Sequence, residues 1–246
     1  MSSPIRTAVI LAAGMGTRLA GQHTESPKGF LEMGAKPIVE ESVDKLVQAG
    51  IERVLIVTGH LAEFYQKLAS LRPGLIETVY NPRFADSGSM YSLYCARSRV
   101  DADFLLLESD LVYEQRALDV LLEGDAADAV LMSGFTQAGD EVYIQAPGGL
   151  LEQMSKDAGE LSSIDGELVG ICRVSAGLYQ RMCELAASEF EDGLHVSYET
   201  DTLVAAASGM AIQCPLVPDL VWGEIDDEHH LRRVREKVYP LLRARR

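Results

Sequence analysis

Residues 11 to 19, LAAGMGTRL, set two glycines, a threonine and an arginine directly behind a short apolar run. Gly14 and Gly16 let a backbone approach an anion and turn its N–H groups inward, while Thr17 adds a hydroxyl and Arg18 a planar cationic fork. The chemistry this favours is the cradling of a phosphate. The pattern is neither of two familiar loops, since Leu19 takes the third glycine position of G-x-G-x-x-G and no G-K-[ST] follows. Taken alone, it fits a phosphate loop and an ordinary glycine turn equally. Lys28, in the polar segment SPKGFLEM, is a loop residue near the same place, and with Arg18 it supplies local positive charge.

Two later stretches offer the opposite charge. LLLESDLVYE ends an apolar run in Glu108 and Asp110, and VWGEIDDEHH repeats the arrangement with Glu224 and Asp226, two apart and so on one face of a strand. Carboxylates delivered by two distant strands make a hard oxygen site suited to Mg2+, which takes one or two carboxylates plus substrate phosphates. His229 and His230 follow at a helix start and read as surface or capping residues. Lys156, in MSKDAG, reads from its surroundings as a solvated loop lysine.

The elements that must position these residues alternate. IRTAVILAA, RVLIVTG, LIETVY, DFLLLESD and DAVLMSG are short, apolar and β-branched; PIVEESVDKLVQAG, LAEFYQKLASL, SMYSLYCARSRV and EQRALDVLLEG between them carry helical periodicity. Strand alternating with helix implies βαβ units and an α/β, Rossmann-like, doubly wound, mostly parallel sheet. Ligands of such sheets bind beyond the carboxyl ends of the strands, where residues 11 to 19 lie. After residue 135 the rhythm changes. DEVYIQAPGGLLEQMSK reads as a hairpin, ELVGICRVS as a strand and AGLYQRMCELAASEF as a helix; strands at MAIQCPLV and LVWGEID and a charged helix from about 228 follow. The expectation is one domain over 1–246, with a nucleotide-binding half to about 135 and an acceptor-binding half, holding a small β-rich insertion, from about 136.

The 246 residues are 47% hydrophobic and 24% charged, enough for a full core, and the formal net charge is −15. That charge argues against nucleic acid or an anionic membrane as partner. The N-terminal apolar run is too short to span a bilayer and has no cleavage site behind a basic region, so a cytoplasmic protein is expected. Four cysteines lie far apart with no C-x-x-C pair, as free thiols do. A homodimer cannot be read from the sequence.

L-A-A-G-x-G-x-R followed some ten residues later by P-K resembles the signature of the nucleotidyltransferases that make sugar nucleotides and CDP-alcohols. The resemblance implies that Leu11, Ala12, Ala13, Gly14, Met15, Gly16 and Thr17 wrap a nucleoside triphosphate, and that Arg18 and Lys28 act catalytically on its phosphates. It also implies Mg2+ on Asp110 and Asp226, with Glu224 a third ligand, and Lys156 on the acceptor phosphate. NPRFADSGSMYSLYCARS resembles the cytidylyltransferase branch typified by phosphocholine and 2-aminoethylphosphonate enzymes, with Ser87, Gly88 and Ser89 near the base or ribose. PKGFLE, LESDLVYE, SGFTQAGDEVYI, MSKD and GELVGI are similar to the 2-aminoethylphosphonate branch and bring Ser133 to the acceptor side. The implied reaction joins CTP to 2-aminoethylphosphonate; phosphocholine or a sugar 1-phosphate as acceptor, and a nucleotide-sensing module without catalysis, are the alternatives. An ammonium-bearing acceptor needs carboxylates or aromatic faces. Glu167, Tyr198, Glu199, Asp201 and Trp222 are candidates, although helix capping and core packing also account for each of them singly.

Overall fold

The computed structural model describes residues 4–19 and 25–245. β1 (Thr7–Ala12) lies at the centre of a parallel set with β2 (Arg53–Thr58), β3 (Ile76–Tyr80) and β4 (Phe104–Glu108). Thr7–Ala12 face Arg53–Thr58 on one side, and Thr7–Leu11 face Phe104–Glu108 on the other. The strands bury both faces by strict alternation. Val9, Leu11, Leu55, Val57, Phe104 and Leu106 point to one core; Ala8, Ile10, Val54, Ile56, Leu105 and Leu107 point to another.

Helices close each face. α1 (Ile38–Gln48), α2 (Ala62–Leu71) and α4 (Arg116–Glu123) send Val43, Leu46, Tyr65, Leu68, Leu118 and Leu121 into the second core. α3 (Ser89–Cys95) and α5 (Ala176–Glu189) send Met90, Leu93, Leu178 and Met182 into the first. Ser175 caps α5 by accepting from Leu178 N at 3.1 Å, and Asp128 holds Ser175 in turn through its N and Oγ.

Beyond β4 the sheet is mixed. β5 (Leu111–Tyr113) leaves it to pair antiparallel with β11 (Trp222–Glu224) in a small sheet of their own. β6 (Ala129–Ser133), β9 (Gly166–Val174) and β10 (Leu216–Val217) extend the main sheet in the order β10-β6-β9-β4-β1-β2-β3. β9 is antiparallel to both β4 and β6, one reversed strand inside an otherwise parallel array among the described residues. The expected hairpin exists as β7 (Tyr143–Gln145) and β8 (Gln153–Ser155), turning through Pro147–Gly149 and attached to β9 at Glu167 and Gly166.

Three expected elements are shortened. The helix over 89–100 ends at Cys95. The strand over 210–217 keeps only its last two residues, because Pro215 has no N–H to continue a ladder. The strand over 220–226 stops at Glu224, so Asp226 lies past its end rather than on its face. A π-helical turn at Tyr198–Leu203 leads into α6 (Val204–Ala207). α7 (Glu228–Arg233), a π-helical turn at Val234–Val238 and α8 (Tyr239–Ala244) form the C-terminal helix, which packs Leu231, Val234, Val238 and Leu242 onto Leu19, Leu31 and Ile225. No helix among the described residues is long and apolar enough to cross a membrane.

Candidate active site

The loop after β1 turns at Gly16, whose φ of +62° is one that side chains resist; a Cβ there would also meet Lys28 Cγ at 3.4 Å. At Gly14 an added Cβ would meet no atom within 4 Å, which leaves the backbone open to an incoming group. Lys28 opens a short turn, Lys28–Phe30, and reaches both distant carboxylates. Its Nζ lies 3.0 Å from Asp110 Oδ2 and hydrogen-bonds Asp226 Oδ1. Arg18 Nη2 is 2.8 Å from the same Asp226 oxygen, and its Nη1 is 3.4 Å from Asp140. Burial opposes the charge on Lys28, but the fields of Asp110 and Asp226 win and raise its pKa. The reciprocal holds at Asp226: burial alone would raise its pKa, yet Lys28 and then Arg18 hold it well below the usual carboxylate range.

Carboxylate oxygens of Glu108, Asp110 and Glu224 lie within 4.8 Å of one another. Glu108 is pushed up to about 8 by burial first and by Glu199 and Asp110 next, while Tyr198 donates its hydroxyl to Glu108 Oε1 at 2.9 Å. Burial, then Glu108, raises Glu224 well above its ordinary value. Three carboxylates at this distance, with only oxygen to offer, fit a hard divalent cation and disfavour a soft one. Asp226 belongs to a neighbouring group with Asp140 and His230. His230 corrects the expectation from sequence: it is 3% exposed, its Nδ1 accepting from Asp226 N at 3.4 Å and its Nε2 lying 3.2 Å from Asp140 Oδ1. The helix start at Asp227 turns His230 inward against the loop that carries Asp140, while His229 stays exposed.

Two cavities meet at Glu108. The first, of about 240 Å3, is walled by Leu11, Ala12, Ala13, Gly14, Gly16 and Lys28, faced by Ser87, Gly88 and Ser89, and floored by Asp110. Met15 and Thr17 line an adjoining cavity with Gly14, Gly16 and Lys28. The Ser87–Ser89 wall is fixed from two sides. Fully buried Asn81 donates to Ser87 Oγ and Ser92 Oγ, and Gly88 comes so close to Val196 that a Cβ would stand 2.3 Å from its carbonyl oxygen. Ser89 Oγ accepts from Tyr198 N and donates to Glu199 Oε2. Tyr65 and Phe84 also line this cavity and were not legible as site residues.

The second cavity, of about 60 Å3, brings together Lys156, Glu167, Glu199, Trp222 and Glu224 of the expected residues. Tyr198 stands behind it on Glu108, and Asp201 sits on an outer opening beside Lys156 and Glu199. Ser133 lines neither cavity; it is buried and donates to Gly134 O at 2.9 Å. Thr136, Asp140, Glu141 and Arg233 line the second cavity and were not expected. Asp140 and Glu141 lie in the GDEVYI block, the one signal that pointed to them.

The profile of the family described as "MobA-like NTP transferase domain" matches residues 8–167. The chain is similar to the CMP-5'-(3-aminopropyl)phosphonate synthase of Streptomyces rubellomurinus, 29% identical over 96% of this chain and 39% of the relative. It is 33% identical to the choline-phosphate cytidylyltransferase of Streptococcus pneumoniae, over 42% of this chain and 46% of that one. A third relative, the 2-aminoethylphosphonate cytidylyltransferase of Lancefieldella rimae, is 34% identical over 43% of each chain. The matches thus span less than half the length of each of these relatives. Among solved structures, the inositol-1-phosphate CTP transferase from T. maritima superposes with a TM-score of 0.83 at 19% identity, covering 99% of this chain and 97% of that one, which establishes a shared fold.

Proposed function

The chain belongs to the family of MobA-like NTP transferase domains, and from that premise we propose that it is a cytidylyltransferase joining CTP to 2-aminoethylphosphonate. One observation carries the reading: a phosphate-sized loop and a separate acidic cavity meet at Glu108, with Lys28 paired to Asp110 and Asp226 and Arg18 paired to Asp226.

In the proposed reaction an acceptor oxygen forms a bond to the α-phosphorus of CTP while the bond from that phosphorus to the bridging oxygen breaks, and pyrophosphate leaves. No dedicated base is required, because a phosphate monoester has a second pKa of about 6 and a phosphonate is also largely ionised near neutrality. The chain's task is to position the two reactants and to spread the developing charge. Leu11–Thr17 receive the triphosphate, with Ser87, Gly88 and Ser89 on the nucleoside side. Arg18 and Lys28 neutralise the phosphates, and Lys156 holds the acceptor phosphonate. Asp110 and Glu224, which cluster with Glu108, and the neighbouring Asp226 would hold Mg2+, which would supply Lewis-acid stabilisation of the leaving pyrophosphate.

The acceptor cavity favours a primary ammonium group. Glu167, Glu199 and Glu224 offer acceptors to an –NH3+ with three donors, whereas among the described residues the only aromatic ring on the wall is Trp222, a sparse lining for a trimethylammonium group. The relatives named for aminoalkylphosphonates point the same way. The test is steady-state pyrophosphate release with Mg2+ and CTP over 2-aminoethylphosphonate, phosphocholine and glucose 1-phosphate, then with the other triphosphates. The highest kcat/KM is expected for CTP with 2-aminoethylphosphonate; preference for glucose 1-phosphate or for another base would overturn the assignment.

A further inference from the structure

The second cavity has a wall that the proposed acceptor leaves unused. Glu108 faces the nucleotide cavity, and Lys156 and Glu199 face the opening beside the hairpin. Thr136, Trp222 and Arg233 form a third side, which separates the cavity from an outer groove. Hydrogen-bonding capacity is left over on this side. Trp222 is 9% exposed, and its Nε1, which can only donate, has no partner among the described residues; Thr136 Oγ1 is likewise buried without one among them. Arg233 makes no ion pair among the described residues, and its hydrogen bond from Nη2 to Thr136 O is long at 3.4 Å.

Buried polar atoms in folded proteins almost always have partners, so an exception on a cavity wall indicates what fills the cavity. Arg233 is half-buried, and burial lowers its pKa despite the fields of Glu167 and Glu141. Those two carboxylates do not complete it. Glu167 accepts from Thr136 N at 2.9 Å, and Glu141 meets Tyr143 OH at 3.4 Å. A Cβ at Gly223 would stand 3.2 Å from Nη1, so the guanidinium lies close to the backbone next to Trp222. A planar fork with unfilled donors, next to an indole N–H and a hydroxyl, is the arrangement that receives a carboxylate.

We infer that Arg233, Trp222 and Thr136 form a carboxylate subsite, and that the preferred acceptor is an amino acid whose side chain ends in a phosphonate or phosphate. This rests on the cytidylyltransferase reading above and puts a carboxylated analogue ahead of 2-aminoethylphosphonate as its acceptor. The ammonium group of such a molecule meets the carboxylates of Glu167 and Glu199, its carboxylate meets Arg233, and its phosphonate reaches Lys156.

Two acceptors that differ only by the carboxylate test it: 2-amino-3-phosphonopropionate and 2-aminoethylphosphonate, each with CTP and Mg2+. The carboxylated acceptor should have a kcat/KM higher by about tenfold or more, carried mainly by KM. Arg233→Gln should bring the ratio of the two toward one, and Arg233→Lys should keep part of it, with thermal unfolding used to verify that both variants fold. Equal kcat/KM for the two acceptors in the unmodified protein, or a ratio that survives Arg233→Gln, overturns the subsite and leaves the cytidylyltransferase reading standing. Absence of pyrophosphate with either acceptor overturns that reading instead. Calorimetric titration with 2-amino-3-phosphonopropionate then decides the subsite: Arg233-dependent binding supports it, and no binding or Arg233-independent binding refutes it.

Discussion

At Lys28 one ammonium group is shared by two carboxylates far apart in the chain, Asp110 and Asp226, and Arg18 takes a second position on the latter. Removing the charge should therefore act twice. Lys28→Met is expected to lower turnover by about 10²-fold or more, as for loss of a donor to a charged transition state. It should also cost about 3 kcal/mol of stability in chelator, since it leaves Asp110 without its cation and Asp226 with Arg18 alone. Added Mg2+ should restore part of that stability, which thermal melts with and without the cation would register. Asp110→Asn should abolish turnover while leaving the melt in chelator intact or raised, because Lys28 keeps Asp226 and the repulsion that Asp110 exerts on Glu108 and Glu224 is removed. At this scale the sequence was informative where spacing was local, as in the loop from Leu11 to Arg18. It was silent where burial is set by distant partners: nothing in EHH distinguishes exposed His229 from His230, which is turned onto Asp140 by a helix cap.

Among the elements, the contact of residues 88–90 with 194–196 ties the two cavities together. Gly88 N donates to Leu194 O at 2.8 Å and Met90 N to Val196 O at 3.0 Å, so the Ser87–Ser89 wall of the first cavity is laced to the segment that presents Tyr198 and Glu199. Only glycine permits that approach. Gly88→Ala, whose Cβ would fall on a backbone oxygen rather than on a movable side chain, should cost about 1–3 kcal/mol and raise KM for both the nucleotide and the acceptor. A rise confined to the nucleotide would show that the two walls move independently. The βαβ rhythm through β6 was readable because fully apolar strands alternated with amphipathic helices. The reversal of β9 was not, since an apolar strand buried on both faces has the same pattern in either direction. Likewise, the pairing of β5 with β11 depends on contacts over a hundred residues apart, and it is this small sheet that brings Glu224 to Glu108 and Asp110.

Over the whole molecule, whose formal net charge is −15, partly buried carboxylates crowd together at one place. The consequence for stability follows from linkage. Glu108 titrates near 8 in the folded chain against 4.5 as its ordinary value, and Glu224 is raised as well, so the folded state binds these protons more tightly than the unfolded state. Their contribution is greatest below about 4.5 and is lost as pH rises toward 8. Asp226 has the opposite shift, but its stabilisation is complete above its ordinary value and changes only at lower pH. In chelator, the melting temperature should thus fall by several degrees between pH 6 and 8.5. Saturating Mg2+ should flatten the slope, because a cation replaces the protons. A melting temperature that rises with pH in chelator would contradict the carboxylate cluster as described.

Transfer of a nucleotidyl group makes a bond that no hydrolase or binding module makes, so the product itself is the most direct test. Incubation with CTP, Mg2+ and 2-aminoethylphosphonate, followed by 31P NMR, should show a mixed phosphonate–phosphate anhydride accumulating in equal amount with pyrophosphate, and neither with Asp110→Asn. Tight CTP binding with no anhydride, or hydrolysis of CTP that does not depend on the acceptor, would contradict the account.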